Sequence, residues 1–183
     1  MTHLVRQLLD FARRKGPQKR ELELGAMARH VTGVLATMAR KRGVGLVSET
    51  PAEAYVDADP TMIEQVLTNL VFNAIQASPK GARAIRVSTT TCSLSEPPAG
   101  RPRGDYARVR VEDHGDGIEP ENVARIFEPF FTTKDVGEGT GLGLSVSYGI
   151  VEDHGGFMDV SSQLGVGTTF DVYLPAGQHG HVS

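Results

Sequence analysis

The segment from Thr61 to Ala77 constrains the fold of this 183-residue chain most strongly. Met62, Ile63, Val66, Leu67, Leu70, Val71 and Ala74 recur at three-and-four spacing along one side of a helix, which Ser78-Pro79 ends. A one-sided apolar helix has to lie on something, and the segments C-terminal to it read as strands. Ala84 to Thr91 and Tyr106 to Glu112 alternate apolar with polar residues, and Phe157 to Ser161 and Thr168 to Leu174 close the chain around Gly165-Val166-Gly167. Val44 to Ser48 and Tyr55-Val56 are shorter strand candidates, while Leu22 to Arg42, Pro120 to Phe127 and Leu142 to His154 carry helical patterns. The mixture predicts an α+β fold, a two-layer α/β sandwich whose mixed, mostly antiparallel sheet is covered by helices on one face.

Met1 to Lys15 adds an amphipathic stripe of Leu4, Val5, Leu8, Leu9, Phe11 and Ala12 that Gly16-Pro17 stops, and a lone helix of about fifteen residues needs a partner. Residues 1 to 42 hold ten Lys/Arg against three acids, so the remainder carries about ten negative charges within a net charge of -3. No aromatic residues alternate with the early basic ones to stack bases, and the main body is acidic, so no nucleic-acid partner is expected. No apolar run approaches the length of about eighteen residues that a membrane-spanning helix needs, and no membrane contact is expected of this segment. A single Cys92 excludes a disulfide framework and fits a reducing compartment, so the chain reads as cytoplasmic. Pro97, Pro98, Gly100, Pro102 and Gly104 predict a mobile surface excursion between two strands, and Ala176 to Ser183 has no pattern.

Eleven of the 21 glycines fall between Gly115 and Gly167. Glycine costs conformational entropy, so this crowding suggests close backbone approach. Its densest part, Gly137-Glu138-Gly139-Thr140-Gly141-Leu142-Gly143-Leu144, runs into a helical pattern. Free N–H groups and the dipole at a helix start suit phosphate, although glycine-rich turns without a ligand are equally common. Asp113-His114-Gly115-Asp116-Gly117 ends a strand candidate; Asp113 could accept from a base amino group beside two glycines that leave room for a ring, or the run could be an acidic β-turn. Asn69 and Asn73 stand four apart on the helix, opposite the Val66, Leu70 and Ala74 stripe, with Gln65 and Gln76 flanking them. Such side chains sit about 5 to 6 Å apart at Cβ. Neutral oxygens so placed suit Mg²⁺ that keeps waters and contacts phosphates, or they are two solvated amides.

Order decides among these readings. Asn69 and Asn73, then Asp113-x-Gly-x-Gly, then Phe127-Glu128-Pro129-Phe130-Phe131-Thr132-Thr133-Lys134, then Gly139-Thr140-Gly141-Leu142-Gly143-Leu144, then Gly167-Thr168-Thr169-Phe170 closely resemble the N, G1, F, G2 and terminal boxes of the sensor histidine kinase ATP-binding domain. The resemblance covers about residues 20 to 175 and includes Gln65-Val66-Leu67 and His154-Gly155-Gly156. The string from Phe127 to Leu144 looks most like the subgroup related to nitrogen-regulation sensor kinases.

The resemblance implies the Bergerat ATP-binding fold of the GHKL superfamily, shared with type II topoisomerase ATPase subunits and DNA mismatch-repair ATPases. It implies ATP and Mg²⁺ as cofactors. Asp113 would pair with the adenine amino group, Thr168 would support that edge through water, and Gly115 and Gly117 would line the base pocket. Asn73 would be the main Mg²⁺ ligand with Asn69 beside it, and both belong with Lys134 to the catalytic set. Lys134 would meet the terminal phosphates, while Gly139, Thr140, Gly141, Leu142 and Gly143 would bring the next helix to the phosphate chain. Residues 118 to 138 would form a lid, in which Asp135 and Glu138 have no binding role and Phe127, Phe130 and Phe131 are anchors or a docking surface for a partner helix. In related ATPases a Glu four residues before the Mg²⁺-binding Asn activates water; that place is Asn69 here, and Glu64 points elsewhere, so the site suits phosphoryl transfer rather than rapid hydrolysis.

None of the six histidines carries the string of a phosphoacceptor helix. His114 reads as a substitution at the pocket rim, and His154 as packing or capping the end of its helix. Met1 to Lys15, with Leu8-Leu9-Asp10-Phe11-Ala12-Arg13, resembles the last turns of the second helix of the dimerisation and phosphoacceptor hairpin. The expected organisation is therefore 1-16 as a remnant of that helix, 17-175 as the ATP-binding domain and 176-183 as an unstructured tail. The implied partners are the phosphoacceptor hairpin of a homodimeric parent and, downstream, a response regulator. Two other readings fit less well: a protein serine kinase of the anti-sigma type, and a nucleotide-binding module without catalysis that docks on a partner helix.

Overall fold

The computed structural model describes residues 16–51, 53–134 and 140–178. The stretch 1–15, read above as a helix, and the lid residues Asp135, Glu138 and Gly139 lie outside them, as does the tail from 179 on. Four helices are described: α1 (Leu24–Lys41), α2 (Pro60–Ala77), the single turn α3 (Pro120–Val123) and α4 (Gly143–Asp153). The strands are β1 (Arg20–Glu23), β2 (Leu46–Glu49), β3 (Tyr55–Ala58), β4 (Ile85–Leu94), β5 (Gly104–Asp113), β6 (Phe157–Gln163) and β7 (Gly167–Pro175).

Five strands form one sheet in the order β2-β4-β5-β7-β6, parallel only between β2 and β4. Alternation along β5 sorts its side chains. Val109 and Val111 join the core, while Arg108 and Arg110 stand on the other face, where Arg110 makes paired bonds of 2.8 and 2.9 Å to Asp171. The α2 stripe of Ile63, Val66, Leu67, Leu70, Val71 and Ala74 is buried in the same core as Val31 and Leu35 of α1 and Ile150 and Val151 of α4. Burial of a large aliphatic side chain is worth about 2 kcal/mol, so this shared core holds the layers together. The predicted α+β sandwich is the observed one.

Several elements differ from expectation. The pattern from Leu22 does not start a helix, because Arg20–Glu23 pairs antiparallel with β3, Leu22 opposite Val56. Glu23 then turns the chain, its carboxylate capping α1 by accepting from Gly25 N at 2.7 Å and Ala26 N at 2.6 Å. The helix predicted from Pro120 to Phe127 lasts one turn. The proline-rich excursion is fastened: Tyr106 Oη donates to Pro102 O at 2.7 Å and Arg101 pairs with Glu152 of α4. Ordered pairing also passes Pro175, as Ala176 N donates to Asp105 O at 2.9 Å and Gly177 N to Tyr55 O at 2.8 Å.

Candidate functional site

The candidate residues gather along α2 in two groups. At the sheet end, β5 delivers Asp113 opposite Thr168 of β7, and both are buried, at 6% and 5% exposure. Burial pushes the Asp113 carboxyl above the usual carboxylate range; backbone N–H bonds from Gly115 and Thr168 and the charge of His114 only partly oppose it. Asp113 Oδ1 accepts from Gly115 N at 2.9 Å. Ser162 Oγ, 2.7 Å from Thr168 Oγ1, takes the Ile118 N–H at 2.8 Å and donates to Gly167 O at 3.1 Å. With the one Ser162 proton spent on that carbonyl, Thr168 donates to Ser162 and keeps its lone pairs.

The glycines here have a different immediate cause from the one expected. A Cβ on Gly115 would meet Ala77 O at 2.3 Å, and one on Gly117, at φ +72°, would meet Gln163 O at 2.2 Å. The loop after Asp113 is thus clamped between the end of α2, where Asp116 N donates to Ala77 O at 3.1 Å, and the β6–β7 turn, where Gly165 N donates to Asp116 O at 2.7 Å. Backbone approach, rather than room for a ring alone, demands these glycines. His114 stands at the rim with Nε2 3.6 Å from Glu112.

At the helix end, Asn69, Asn73 and Gln76 share a half-buried face of α2. Asn69 Nδ2 donates to Gly143 O and Ser147 Oγ, both at 3.2 Å, so its amide nitrogen is spent on α4 and its Oδ1 remains an acceptor. That face is therefore partly covered by α4 instead of standing open. Lys134 donates to Gln76 Oε1, one turn beyond Asn73. Glu64 leaves this face and lies 3.3 Å from His30 on α1.

The start of α4 has no side-chain cap. Its first intrahelical bond runs from Val146 N to Leu142 O, which leaves the N–H groups of Gly143, Leu144 and Ser145 without helical acceptors at the positive end of the dipole. Thr140 Oγ1 holds Leu142 N at 3.4 Å, and buried Leu142 fixes the turn. Gly141, at φ +66°, has its own reason: a Cβ would come within 2.4 Å of the Phe130 backbone, whose N–H donates to Gly141 O at 2.9 Å. Only ordinary contact, 3.7 Å to Asn69, surrounds Gly143.

The three phenylalanines divide. Phe127 packs against Tyr148 at 5.2 Å and Phe170 at 6.5 Å, and Phe131 lies under the Arg125 guanidinium at 4.5 Å, so both anchor the loop. Phe130 is 61% exposed at φ +67°. Ser147 and Ser162 were not singled out from the sequence, since their partners are set by packing of distant segments. Every sequence candidate among the described residues falls in one of the two groups, and α2 joins them.

Residues 58–178 match the family model described as histidine kinase-, DNA gyrase B-, and HSP90-like ATPase. The chain is 40% identical over 179 residues to Sensor kinase CckA of Brucella abortus (strain 2308), a match covering 94% of this chain and 18% of that protein. It is 37% identical over 174 residues to Sensor protein FixL of Bradyrhizobium diazoefficiens, covering 94% and 32%. The chain thus spans between about a fifth and a third of these curated relatives. Among solved structures, the catalytic domain of histidine kinase ThkA superposes with a TM-score of 0.71 at 34% identity, over 86% of this chain and 95% of that one. Full-length ShkA in complex with AMPPNP gives a TM-score of 0.76 at 26% identity, over 95% of this chain and 35% of that one.

Proposed function

The chain belongs to the histidine kinase-, DNA gyrase B-, and HSP90-like ATPase family as an ATP-binding catalytic domain of the histidine kinase type, and we propose that it passes the γ-phosphate of ATP to a histidine on a phosphoacceptor hairpin of its parent. The observation that carries this reading is the convergence on α2: Asn69 is bonded to the start of α4, Lys134 reaches Gln76, and Asn73 lies between. Two segments of distant sequence, the start of α4 and the loop that carries Lys134, thereby meet on one face of α2. ATP would lie with its base at Asp113 and its phosphates at the N–H groups of α4.

The side chain of Asn73 makes no hydrogen bond to another described residue, and Asn69 keeps Oδ1 once its nitrogen is engaged. Two neutral oxygens fit Mg²⁺ that shares phosphate oxygens and water; they would be a poor cage alone. That ion would neutralise charge on the phosphates. The protein's own share is positioning: α4 holds the phosphate chain, Lys134 takes part of its charge, and the Asp113 group fixes the base. Among the described residues this face carries no carboxylate base, with Glu64 turned to His30. This supports transfer to an incoming nucleophile over hydrolysis.

Among the described residues no helix is long and apolar enough to cross a membrane. We place the domain in the cytoplasm, in a homodimeric parent of the nitrogen-regulation-like kind that passes its phosphoryl group to a response regulator. Incubation with Mg²⁺-ATP and a separately made hairpin of the same parent tests the proposal. Label on a hairpin histidine is expected. Nucleotide binding with no transfer would reduce the domain to a binding module, and multiple-turnover hydrolysis at enzyme-like rates would contradict the assignment of Asn69.

A further inference from the structure

His154 is buried, 4% exposed, yet takes no part in the chemistry above. Its Nδ1 lies 2.7 Å from the Ile150 carbonyl, and its Nε2 accepts from the Asp59 backbone N–H at 3.0 Å. An acceptor at one nitrogen and a donor at the other require the neutral ring with its proton on Nδ1. Asp59 is the N-cap of α2: Oδ1 takes Thr61 N at 3.0 Å and Met62 N at 3.3 Å, and Oδ2 takes Gln18 N at 2.9 Å. Burial raises its carboxyl, but the N–H bonds from Gln18, Met62 and Thr61 outweigh that and hold it below the usual range. His154 therefore fastens the end of α4 to the beginning of α2.

A second fastening stands at the other end of the same pair, where Asn69 bonds Gly143 and Ser147. The two helices run antiparallel, and the ties are roughly 15 Å apart at about 1.5 Å per residue. Apolar packing between them is non-directional; two hydrogen-bonded ends fix both tilt and slide. A tilt of about 4° over that lever would move the N–H groups of Gly143 to Ser145 by about 1 Å. Misplacement of that size can cost on the order of 100-fold in a transfer rate.

We infer that His154 is a positioning residue for the nucleotide site: by bonding the Asp59 amide it keeps the N-terminus of α4 in register with Asn69 and Asn73. The affinity part of this inference rests on the ATP reading above. His154→Phe keeps ring volume and loses both polar contacts, whereas His154→Gln keeps an acceptor that reaches the Asp59 amide. Where the Phe variant does not fold, His154→Asn, too short for Asp59 but able to donate to Ile150, takes its place.

Calorimetry with a non-hydrolysable ATP analogue should show affinity about tenfold weaker for the Phe variant and within about threefold of wild type for Gln. In nucleotide-free protein, the NMR signals of the Asn69 side-chain amide and the Gly143 amide should move in the Phe or Asn variant and stay in Gln, and the wild-type ring should show a protonated Nδ1 with a bare Nε2. Variants that lose thermal stability but keep wild-type affinity and unmoved Asn69 and Gly143 signals would make His154 a packing residue only. Failure of wild type to bind the analogue would overturn the ATP reading instead, and the nucleotide-free signals would still decide the link between the helix ends.

Discussion

The two ends of the site are built on different principles. At the sheet end, Asp113 and Thr168 are buried on paired strands, Ser162 completes their network, and Gly115 and Gly117 are locked by backbone contacts. At the helix end, Lys134 and Thr140 are exposed, the donors are the first amides of α4, and register depends on side-chain ties from Asn69 and His154. A preformed pocket fixes what is bound, since nothing has to be ordered on binding. An end made of a helix terminus and a loop has its geometry completed with ligand and partner, which suits the step where phosphate leaves. The proposal thus divides labour: recognition of the base in the sheet, transfer at the helix end.

The largest effect should come from Asp113→Ala, which removes the buried carboxylate of the sheet end. Affinity for both ATP and ADP should fall by at least about 100-fold, near 3 kcal/mol, as measured by calorimetry. Loss confined to ATP would break the comparison, because Asp113 would then act on the phosphates. Its ionisation adds a signature. Burial raises the Asp113 pKa, so the folded protein holds that proton more tightly than the unfolded chain does. Stability of wild type relative to Asp113→Ala should therefore fall as pH rises through the interval just above the ordinary carboxylate value, and level off beyond it. Urea titrations between pH 4 and 7 read this directly; a rise over that interval would mean that the carboxylate is stabilised where it stands.

Next in size is Gly117→Ala, which tests whether the sheet end is as rigid as its contacts imply. The residue would hold φ +72° with its Cβ 2.2 Å from Gln163 O, so the loop or the β6–β7 turn must shift. Backbone strain of this kind costs about 1 to 3 kcal/mol, and a Tm lower by several degrees is expected. Wild-type stability with intact nucleotide affinity would show a more compliant loop than described.

Most of the sheet and the α2 stripe was legible in the sequence because period and burial coincide there, and the site motifs were legible because their order is distinctive. What escaped notice depended on distant partners. Arg20–Glu23 has too many charges to alternate as a strand and gains its identity from β3, more than thirty residues away. Ser162 and the Asp59–His154 contact join segments that no local pattern relates. The immediate reasons for Gly115, Gly117 and Gly141 lie in Ala77, Gln163 and Phe130, whose backbone atoms a linear reading cannot bring near.

Lys134→Ala probes the helix end by charge. The ammonium is exposed and bonded to Gln76, so its loss should leave stability within about 0.5 kcal/mol. ATP affinity should drop by about fivefold and ADP affinity by less than twofold, with the difference shrinking in high salt, as for an exposed charge meeting phosphate. Equal losses for ATP and ADP would place the lysine nearer the base and blur the two ends into one.

The smallest effect on the isolated domain, and the sharpest separation of binding from transfer, is expected from Phe130→Gly. Phe130 holds φ +67° with 61% of its surface exposed, so its ring contributes little packing while its backbone conformation costs stability. Glycine occupies that conformation without strain, although it adds freedom to the unfolded chain, and the two changes offset to within about 1 kcal/mol. Nucleotide affinity should stay within about twofold, because the Phe130 N–H that meets Gly141 O is retained. Phosphotransfer to a separate hairpin should nevertheless slow about tenfold if the exposed ring is where the partner helix docks. A destabilised domain with unchanged transfer would instead make Phe130 a third anchor beside Phe127 and Phe131.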